Sequence, residues 1–159
     1  MQLSKNLALA EVTRSETAKR KGISNMPTPE HLENFKKLAE NVFQPIRDHF
    51  GVPIRISSGY RSAALNKAVG GSASSQHCTG EAIDIDMDGT AITNAQIFNF
   101  IKDNLEFDQL IAEFPVNSNP AWVHVSYESS GKQRKQILVA KKVGGATKYI
   151  PYKTDADLK

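Results

Sequence analysis

The chain has 159 residues, of which 40% are hydrophobic and 23% are charged, and its formal net charge is +3. These proportions are ordinary for a globular protein, and the length fits a single domain that spans residues 1–159. No apolar stretch approaches the roughly 20 residues that a membrane-spanning helix needs. The single cysteine, Cys78, excludes an internal disulfide and a zinc site built from several cysteines.

The amino-terminal stretch, MQLSKNLALAEV, is the place where a secretory signal would lie. Its apolar part is too short for such a signal, and Glu11 interrupts it. We therefore expect a protein that is made in the cytoplasm without a signal peptide.

The first long periodic segment lies between Met26 and Gly51. Thr28 is the predicted N-cap of a helix, and Pro29 suits its first position. Gly51 closes the segment, whereas Pro45 is expected to kink the helix or end it early. Apolar residues recur at helical spacing and predict one buried face, made of Leu32, Phe35, Leu38, Ala39, Val42, Phe43, Ile46 and Phe50.

The middle of the chain mixes short strands and helices. The stretch PIRISSGYRS predicts a β-branched strand followed by a turn, and SAALNKAVGG predicts a short helix. TNAQIFNFIKDNL is the second amphipathic helix, with its cap at Thr93 or Asn94.

Toward the carboxyl end the pattern changes to the alternation that is typical of strands. FDQLIAEF and WVHVSYE are two predicted strands joined by the turn-rich PVNSNPA. QILVAKKV and TKYIPY, separated by two glycines, predict a final hairpin. Helices followed by mainly antiparallel strands indicate an α+β fold, with the helices packed on a central sheet.

Positive charge is concentrated in the same part of the chain. Residues 128–159 carry eight Lys and Arg against three acidic residues, a net charge of +5, which leaves −2 for residues 1–127. A basic half suggests contact with an anionic partner such as nucleic acid, a membrane surface or an acidic wall polymer. The alternative is that the lysines keep an edge strand soluble.

The stretch SSQHCTGEAIDIDMDG, residues 74–89, concentrates a histidine, a cysteine and four acidic residues in sixteen positions. A strand from Ala82 to Met87 would turn Asp84 and Asp86 to one face and the isoleucines between and before them to the core. The polar face of this strand is the predicted position of a metal site, and an ordinary half-buried strand is the alternative.

Two histidines could join Asp84 at a metal ion. Gly80 would let the chain turn sharply enough for His77 to fold back over the polar face of the strand. His124 lies on the polar face of the WVHVSY strand. A catalytic zinc takes three such ligands and leaves its fourth position to water. Taken alone, this spacing leaves a metal site and a structural role equally open.

SQHCTGEAIDID, with SGYRS before it and WVHVSY after it, resembles the signature of the zinc D-Ala-D-Ala carboxypeptidase family, peptidoglycan peptidases with a hedgehog-like fold. The similarity runs from about Leu3 to Tyr127, and the amino-terminal segment resembles that of phage and prophage members. The family pattern Ser-x-His-x-x-Gly-x-Ala-x-Asp is complete here, at Ser75, His77, Gly80, Ala82 and Asp84.

The resemblance implies stem peptides of bacterial peptidoglycan as the substrate. It also implies that Arg61 holds the substrate carbonyl and stabilises the oxyanion, as a permanent cation would. The alternative is an arginine that pairs with a carboxylate to fix its turn. The residues predicted to bind the substrate are Ser75 and Trp122, with the alternative that Trp122, an aromatic residue at a strand end, belongs to the core or its rim. The ligands that the resemblance implies for a Zn²⁺ ion are His77, Asp84 and His124.

The chain departs from the family pattern at the position of the general base. Many relatives carry Glu or Asp three residues before the last histidine ligand, and here that position is Ala121. Glu113 is the predicted replacement, because a hairpin whose turn centres between Ser118 and Asn119 would pair it with His124.

Three other side chains bear on the chemistry. Asp86 and Asp108 are reserve candidates for the base, although Asp86 is better suited to orienting a ligand histidine or capping a loop. Cys78 with a histidine is a known kind of nucleophile pair. It lies directly beside the proposed ligand His77, however, and adjacent residues in a loop generally point apart.

The sequence therefore predicts a monomeric zinc peptidase that cuts stem peptides at a terminal D-Ala or at a cross-link. The expected setting is a phage endolysin that acts at the bacterial cell wall. The alternative, which Ala121 keeps open, is a zinc-stabilised wall-binding or virion module without hydrolysis. We expect no specific nucleic-acid binding and no transmembrane segment.

Overall fold

The computed structural model describes all residues, 1–159, as eight β-strands, six α-helices and three turns of other helical types. The strands are β1 (Gln2–Ser4), β2 (Leu7–Ala8), β3 (Ile56–Ser58), β4 (Ala82–Ile85), β5 (Gln109–Glu113), β6 (Trp122–Ser126), β7 (Gln136–Val143) and β8 (Ala146–Pro151). The α-helices are α1 (Leu9–Thr13), α2 (Glu16–Lys21), α3 (Pro29–Leu38), α4 (Gln44–Phe50), α5 (Ala63–Ala68) and α6 (Asn94–Asn104). A π-helical turn spans Ala39–Phe43, and 3₁₀ turns span Gln76–Thr79 and Asp155–Leu158.

Six strands form one sheet in the order β3-β4-β6-β5-β7-β8, and β1 and β2 form a separate antiparallel pair. All neighbours in the large sheet are antiparallel except β5 and β7, which run parallel. Helices packed on a mainly antiparallel sheet confirm the predicted α+β fold.

One face of the sheet packs against helices and forms the hydrophobic core. Ile83 and Ile85, the predicted core side of β4, are fully buried there together with apolar residues of α3, α4 and α6. Because side chains alternate along each strand, the polar residues between these core positions point to the opposite face. That face carries the candidate site.

The long amino-terminal helical segment begins as predicted. The Thr28 hydroxyl accepts a backbone N–H of the first turn, and Pro29 is the first helical residue. The early end that Pro45 suggested does not occur, because the segment continues through the π-helical turn into α4. Proline has no backbone N–H and cannot donate the hydrogen bond of a regular α-helical turn, so Pro45 is tolerated only where the local turn differs. In the wider turn before it, the Gln44 N–H donates to the Ala39 carbonyl.

The start of α6 ties this helix to the loop before β6. Thr93 is the N-cap and forms a capping box with Gln96. Asn94, the alternative cap, is fully buried, and its side-chain amide donates to the carbonyls of Pro120 and Ala121. These contacts fix where the chain enters β6.

The final hairpin of β7 and β8 forms as predicted. β8 is an edge strand of the sheet, and most of its residues are exposed. Lys141 and Lys148 lie opposite each other across the hairpin, which suits lysines that keep a sheet edge soluble. No helix of the chain has both the length and the apolar character to cross a membrane.

Candidate metal centre and substrate groove

The three side chains predicted as metal ligands come together on the polar face of the sheet. His77 lies in a 3₁₀ turn, and Asp84 in β4 is the cross-strand partner of His124 in β6. Asp84 Oδ1 is 3.3 Å from His77 Nε2 and 3.0 Å from His124 Nδ1. One ligand atom from each residue lies within 4.8 Å of the other two. The cluster is compact enough to hold one metal ion.

The ring orientation of His77 shows what this cluster needs. Its Nδ1 is 2.7 Å from the carbonyl oxygen of Gly59, and because a carbonyl only accepts, Nδ1 carries the hydrogen. Without a second hydrogen on the ring, Nε2 would present a lone pair to the Asp84 carboxylate. Two acceptors that face each other require a positive ion between them, either a proton or a metal. Two histidines and a carboxylate with the fourth position open are a donor set that fits catalytic zinc.

Two glycines let the chain pass closely enough to form the cluster. Gly80 has φ +75°, and a side chain there would clash with the carbonyl oxygen of His31. The sharp turn predicted at this position is therefore confirmed. Gly59, whose carbonyl orients His77, leaves no room for a Cβ beside the backbone of Val12. This second constraint was not predicted.

Asp84 is buried and ionised. Burial alone would raise the pKa of its carboxyl, but the charges and hydrogen bonds of His77 and His124 outweigh burial and hold that pKa well below its usual range. Arg61 adds a further positive group, with Nη2 3.7 Å from Asp84 Oδ2. A buried carboxylate that stays charged is suited to bind a cation.

Arg61 makes the carboxylate contact of the structural alternative and also lies beside the groove. Its Nε donates to the Ser58 hydroxyl at 3.3 Å, and its Nη1 donates to the Asn66 side-chain oxygen at 3.2 Å. Together with the ion pair to Asp84, these contacts hold the guanidinium in one orientation. The same side chain lines the groove beside the cluster, where its charge can act on a substrate oxygen.

Glu113 lies on the same face as the cluster, but at a different register from the one predicted. The predicted pair of Glu113 with His124 is wrong, since Glu113 pairs with Trp122 and Ile111 pairs with His124. A difference of two residues keeps Glu113 on the His124 side of the sheet, because side chains alternate with a period of two. Both side chains line the groove.

The surroundings of Glu113 suit a proton acceptor. Only 7% of the residue is exposed, and burial raises its pKa to about 7. His124 opposes this rise, and the negative charge of Asp84 adds to it. A carboxyl whose pKa lies near neutrality can take up and release a proton within one catalytic cycle.

The two reserve carboxylates have structural partners instead. Asp108 is buried and accepts hydrogen bonds of 2.8–3.0 Å from Arg134 and the Gln76 side chain. Asp86 accepts the backbone N–H of Asp88 at 3.0 Å, so it caps its loop, which is one of the two roles expected for it. Neither carboxylate lines the groove.

A groove of about 740 Å³ lies over the cluster and is lined by Ser75 and Trp122, the predicted substrate-binding residues. The Ser75 hydroxyl accepts the backbone N–H of His77 and caps the 3₁₀ turn, so it also positions this loop. The Trp122 ring packs against Phe114, with the ring centroids 5.5 Å apart.

Cys78 is not part of this groove. Burial raises the pKa of its thiol, and the nearby charge of Arg61 only partly offsets the rise. A thiol whose pKa is raised is a poor nucleophile at neutral pH. This agrees with the interpretation that Cys78 and a histidine do not form a catalytic pair here.

The groove also contains residues that the sequence did not indicate. Among them are Gln109 and Gln136, whose side-chain amides bond to each other at 2.8 Å, and Tyr149 of β8. They come together because β7 pairs in parallel with β5. Alternation within a strand shows which residues share a face, but it does not show which strands are neighbours.

An α+β fold that places two histidines and an aspartate beside an open groove defines a chain suited to metal-dependent hydrolysis. The family model described as Peptidase M15 matches residues 5–126, and the chain belongs to this family. Membership implies a zinc-dependent metallopeptidase and suggests peptidoglycan as the polymer acted on. No curated protein matches the chain. The matched residues end with β6, so the β7–β8 hairpin lies outside them.

Proposed function

We propose that the chain is a zinc peptidase that hydrolyses the stem peptides of bacterial peptidoglycan, with residues 1–159 acting as one domain. The observation that carries the proposal is the buried cluster in which two histidine nitrogens face one oxygen of Asp84 at 3.0 and 3.3 Å. Family membership supports zinc as the ion. The proposed zinc ligands are His77, Asp84 and His124.

Bound zinc supplies a Lewis acid that polarises the scissile carbonyl and makes water acidic enough to attack at neutral pH. Glu113 takes the proton of the attacking water and returns it to the leaving amine, since a pKa of about 7 suits both transfers. Arg61, held by Ser58 and Asn66, places a permanent positive charge where negative charge develops on the carbonyl oxygen.

The groove continues past the cluster toward β7 and β8, which suits a peptide bound in an extended conformation. Ser75 and Trp122 contact this peptide in the proposal, and the cut falls at a terminal D-Ala or at a cross-link. The resemblance of the amino-terminal segment to phage and prophage members supports an endolysin that acts at the cell wall.

A second candidate is a zinc-stabilised wall-binding or virion module that does not hydrolyse peptides. Ala121 favours it, because many relatives carry an acidic residue at that position. Glu113 speaks against it, because a buried carboxyl with a raised pKa beside a metal cluster is characteristic of active sites. The two candidates share the metal site and differ in turnover.

Digestion of purified peptidoglycan, followed by mass spectrometry of the released peptides, separates the two candidates. A zinc peptidase releases D-Ala or splits cross-links, loses this activity to a chelator and regains it when zinc is added. A chain that binds one zinc ion and the wall polymer, yet releases no fragment, would contradict hydrolysis and favour the second candidate.

A further inference from the structure

Beyond Glu113 the groove is lined by the β7–β8 hairpin, which lies outside the residues matched to the family. β7 joins the sheet through its pairing with β5, and β8 follows at the edge. Leu138, Thr147 and Tyr149 of this hairpin all line the groove. The hairpin thus supplies a surface that the proposed hydrolytic steps leave unused.

One row of cross-strand pairs connects the hairpin to the site. Tyr149 pairs with Ala140, and Ala140 pairs with Glu113. Glu113 in turn pairs with Trp122, so all of these side chains share the groove face. Ala140 is fully buried and ends in a methyl group, which leaves space between the longer side chains of Tyr149 and Glu113. Tyr149 and Trp122 therefore flank Glu113 from opposite sides.

The surroundings of Tyr149 favour a hydrogen-bond donor. The residue is 55% exposed, although it lines the groove, so a ligand can reach both its ring and its hydroxyl. Partial burial, followed by the negative charges of Glu113 and Asp84, raises the pKa of this hydroxyl. The group stays protonated at neutral pH and offers one donor beside an apolar ring.

We propose that Tyr149 binds the stem peptide on the Glu113 side of the scissile bond, with its ring against the peptide and its hydroxyl donating to a peptide carbonyl. This inference rests on the proposed function, because it assigns the same substrate to the same groove. An extended peptide presents carbonyl acceptors at regular intervals, so one donor on a fixed strand can select its position. The contact serves binding and leaves the hydrolytic step unaltered.

Tyr149→Ala and Tyr149→Phe test the proposal, and Lys148→Ala is the matched control because Lys148 precedes Tyr149 on the same strand and does not line the groove. The probes are a synthetic stem peptide that ends in D-Ala-D-Ala and a cross-linked dimer of the same stem peptide, so that both cuts in the proposed function are covered. KM and kcat are measured on the zinc-loaded protein, and Kd is measured by calorimetry on the metal-free protein, where no turnover occurs. Fluorescence of Trp122, the single tryptophan, reports binding independently.

Tyr149→Ala should raise KM and Kd about tenfold or more, and Tyr149→Phe should raise them about two- to tenfold, the effect of one net hydrogen bond. We expect kcat to stay within about a factor of two in both variants. The control should match the parent protein. A fall in kcat with unchanged KM would overturn the proposal.

The outcomes keep this inference separate from the proposed function. A parent protein that cuts either probe, with Tyr149→Ala at the parental KM and Kd for that probe, overturns the inference alone. A parent that binds a probe but cuts neither of the two, and binds it less tightly after Tyr149→Ala, overturns hydrolysis and supports the binding role. A parent that neither cuts nor binds either probe overturns both.

Discussion

The Asp84 carboxylate contacts the guanidinium of Arg61 and the ring nitrogens of His77 and His124. The two histidines are the other proposed ligands of the metal ion. Asp84→Asn keeps the size of the side chain and removes the charge. We predict that this variant binds zinc at least about 100-fold more weakly, because it loses the only anionic ligand. Metal analysis after dialysis measures the loss, and the exposed Asp103→Asn is the control. Full zinc occupancy in Asp84→Asn would contradict the ligand assignment.

Glu113 acts as a base only in its ionised form. Burial raises its pKa to about 7 in the metal-free protein, and a bound cation lowers this pKa. We therefore predict that kcat/KM of the zinc-loaded protein rises with pH and levels below about 7. Glu113→Gln should keep its zinc and lower kcat about 10²- to 10⁴-fold.

Rate assays between about pH 5 and 9 measure this profile. Glu106→Gln is the matched control, because the Glu106 side chain is 71% exposed and lies outside the groove. If Glu113→Gln retained the parental kcat and the same rise with pH, another group would have to be the base.

The sequence predicted the cluster of His77, Asp84 and His124 more accurately than the cross-strand partner of Glu113. The pairing of β5 with β6 depends on the turn between them, where Asn117 and Ser118 have φ of 52° and 66° and Val116 bridges to Asn119. Positive φ at two central residues is typical of a two-residue hairpin turn, and asparagine tolerates it. The predicted turn was centred one residue later, between Ser118 and Asn119. That shift moves the β5 partner of each β6 residue by two positions, from Ile111 to Glu113 in the case of His124.

Between elements, Asp108 joins the 3₁₀ turn that carries His77 to the segment leading into β7. It is buried and accepts hydrogen bonds from Gln76 and from three N–H groups of Arg134. We predict that Asp108→Asn lowers the free energy of unfolding by about 1–3 kcal/mol, as expected for hydrogen bonds to a charged group. Urea unfolding at neutral pH measures the change, and Asp103→Asn should stay near the parent.

The effect of Asp108 on stability should depend on pH with a definite sign. Burial alone would raise the pKa of its carboxyl, but the hydrogen bonds from Arg134 and Gln76 outweigh burial and lower that pKa. Such a group stabilises the fold above its unfolded pKa, about 3.9, and the contribution is lost as pH falls through the folded value. The difference between the parent and Asp108→Asn should therefore shrink on acidification. A difference that grows would contradict this interpretation.

Gly59 connects α1 to the metal centre, because it packs against Val12 and orients His77. We predict that Gly59→Ala lowers stability by about 1–3 kcal/mol through overpacking. It should also weaken zinc binding about 10- to 100-fold, because the orienting carbonyl moves. Thermal unfolding and zinc titration measure the two effects, with the exposed Lys67→Ala as control. Lower stability with unchanged zinc affinity would show that this carbonyl does not orient the ligand.

The sequence patterns predicted the long elements and two short ones, β3 and α5, but missed α1, α2 and the π-helical turn. α1 and α2 have five and six residues, which is shorter than the window that reveals a helical period. The π-helical turn before Pro45 also escaped prediction, because its apolar spacing matches that of an ordinary helix. What distinguishes it is the hydrogen bond from Gln44 to Ala39, a detail of backbone geometry.

For the whole molecule, the order of the strands decides which surfaces meet at the groove. The sequence predicted helices packed on a mainly antiparallel sheet, but neighbours in the chain do not always pair. After β6 the chain crosses β5, and β7 pairs in parallel with β5 on its far side. The contact of Arg134 with Asp108 holds the segment that makes this crossing. This order brings Tyr149 into the row of Glu113, which no local pattern could reveal.

The most direct test of the central claim is diffraction from crystals grown with zinc and measured at the zinc absorption edge. We predict one anomalous peak, bonded to His77 Nε2, an Asp84 carboxylate oxygen and His124 Nδ1 at about 2.0–2.2 Å, with the fourth position open to the groove. A peak held by other residues, or a fourth protein atom that closes off the ion, would contradict the proposed metal centre.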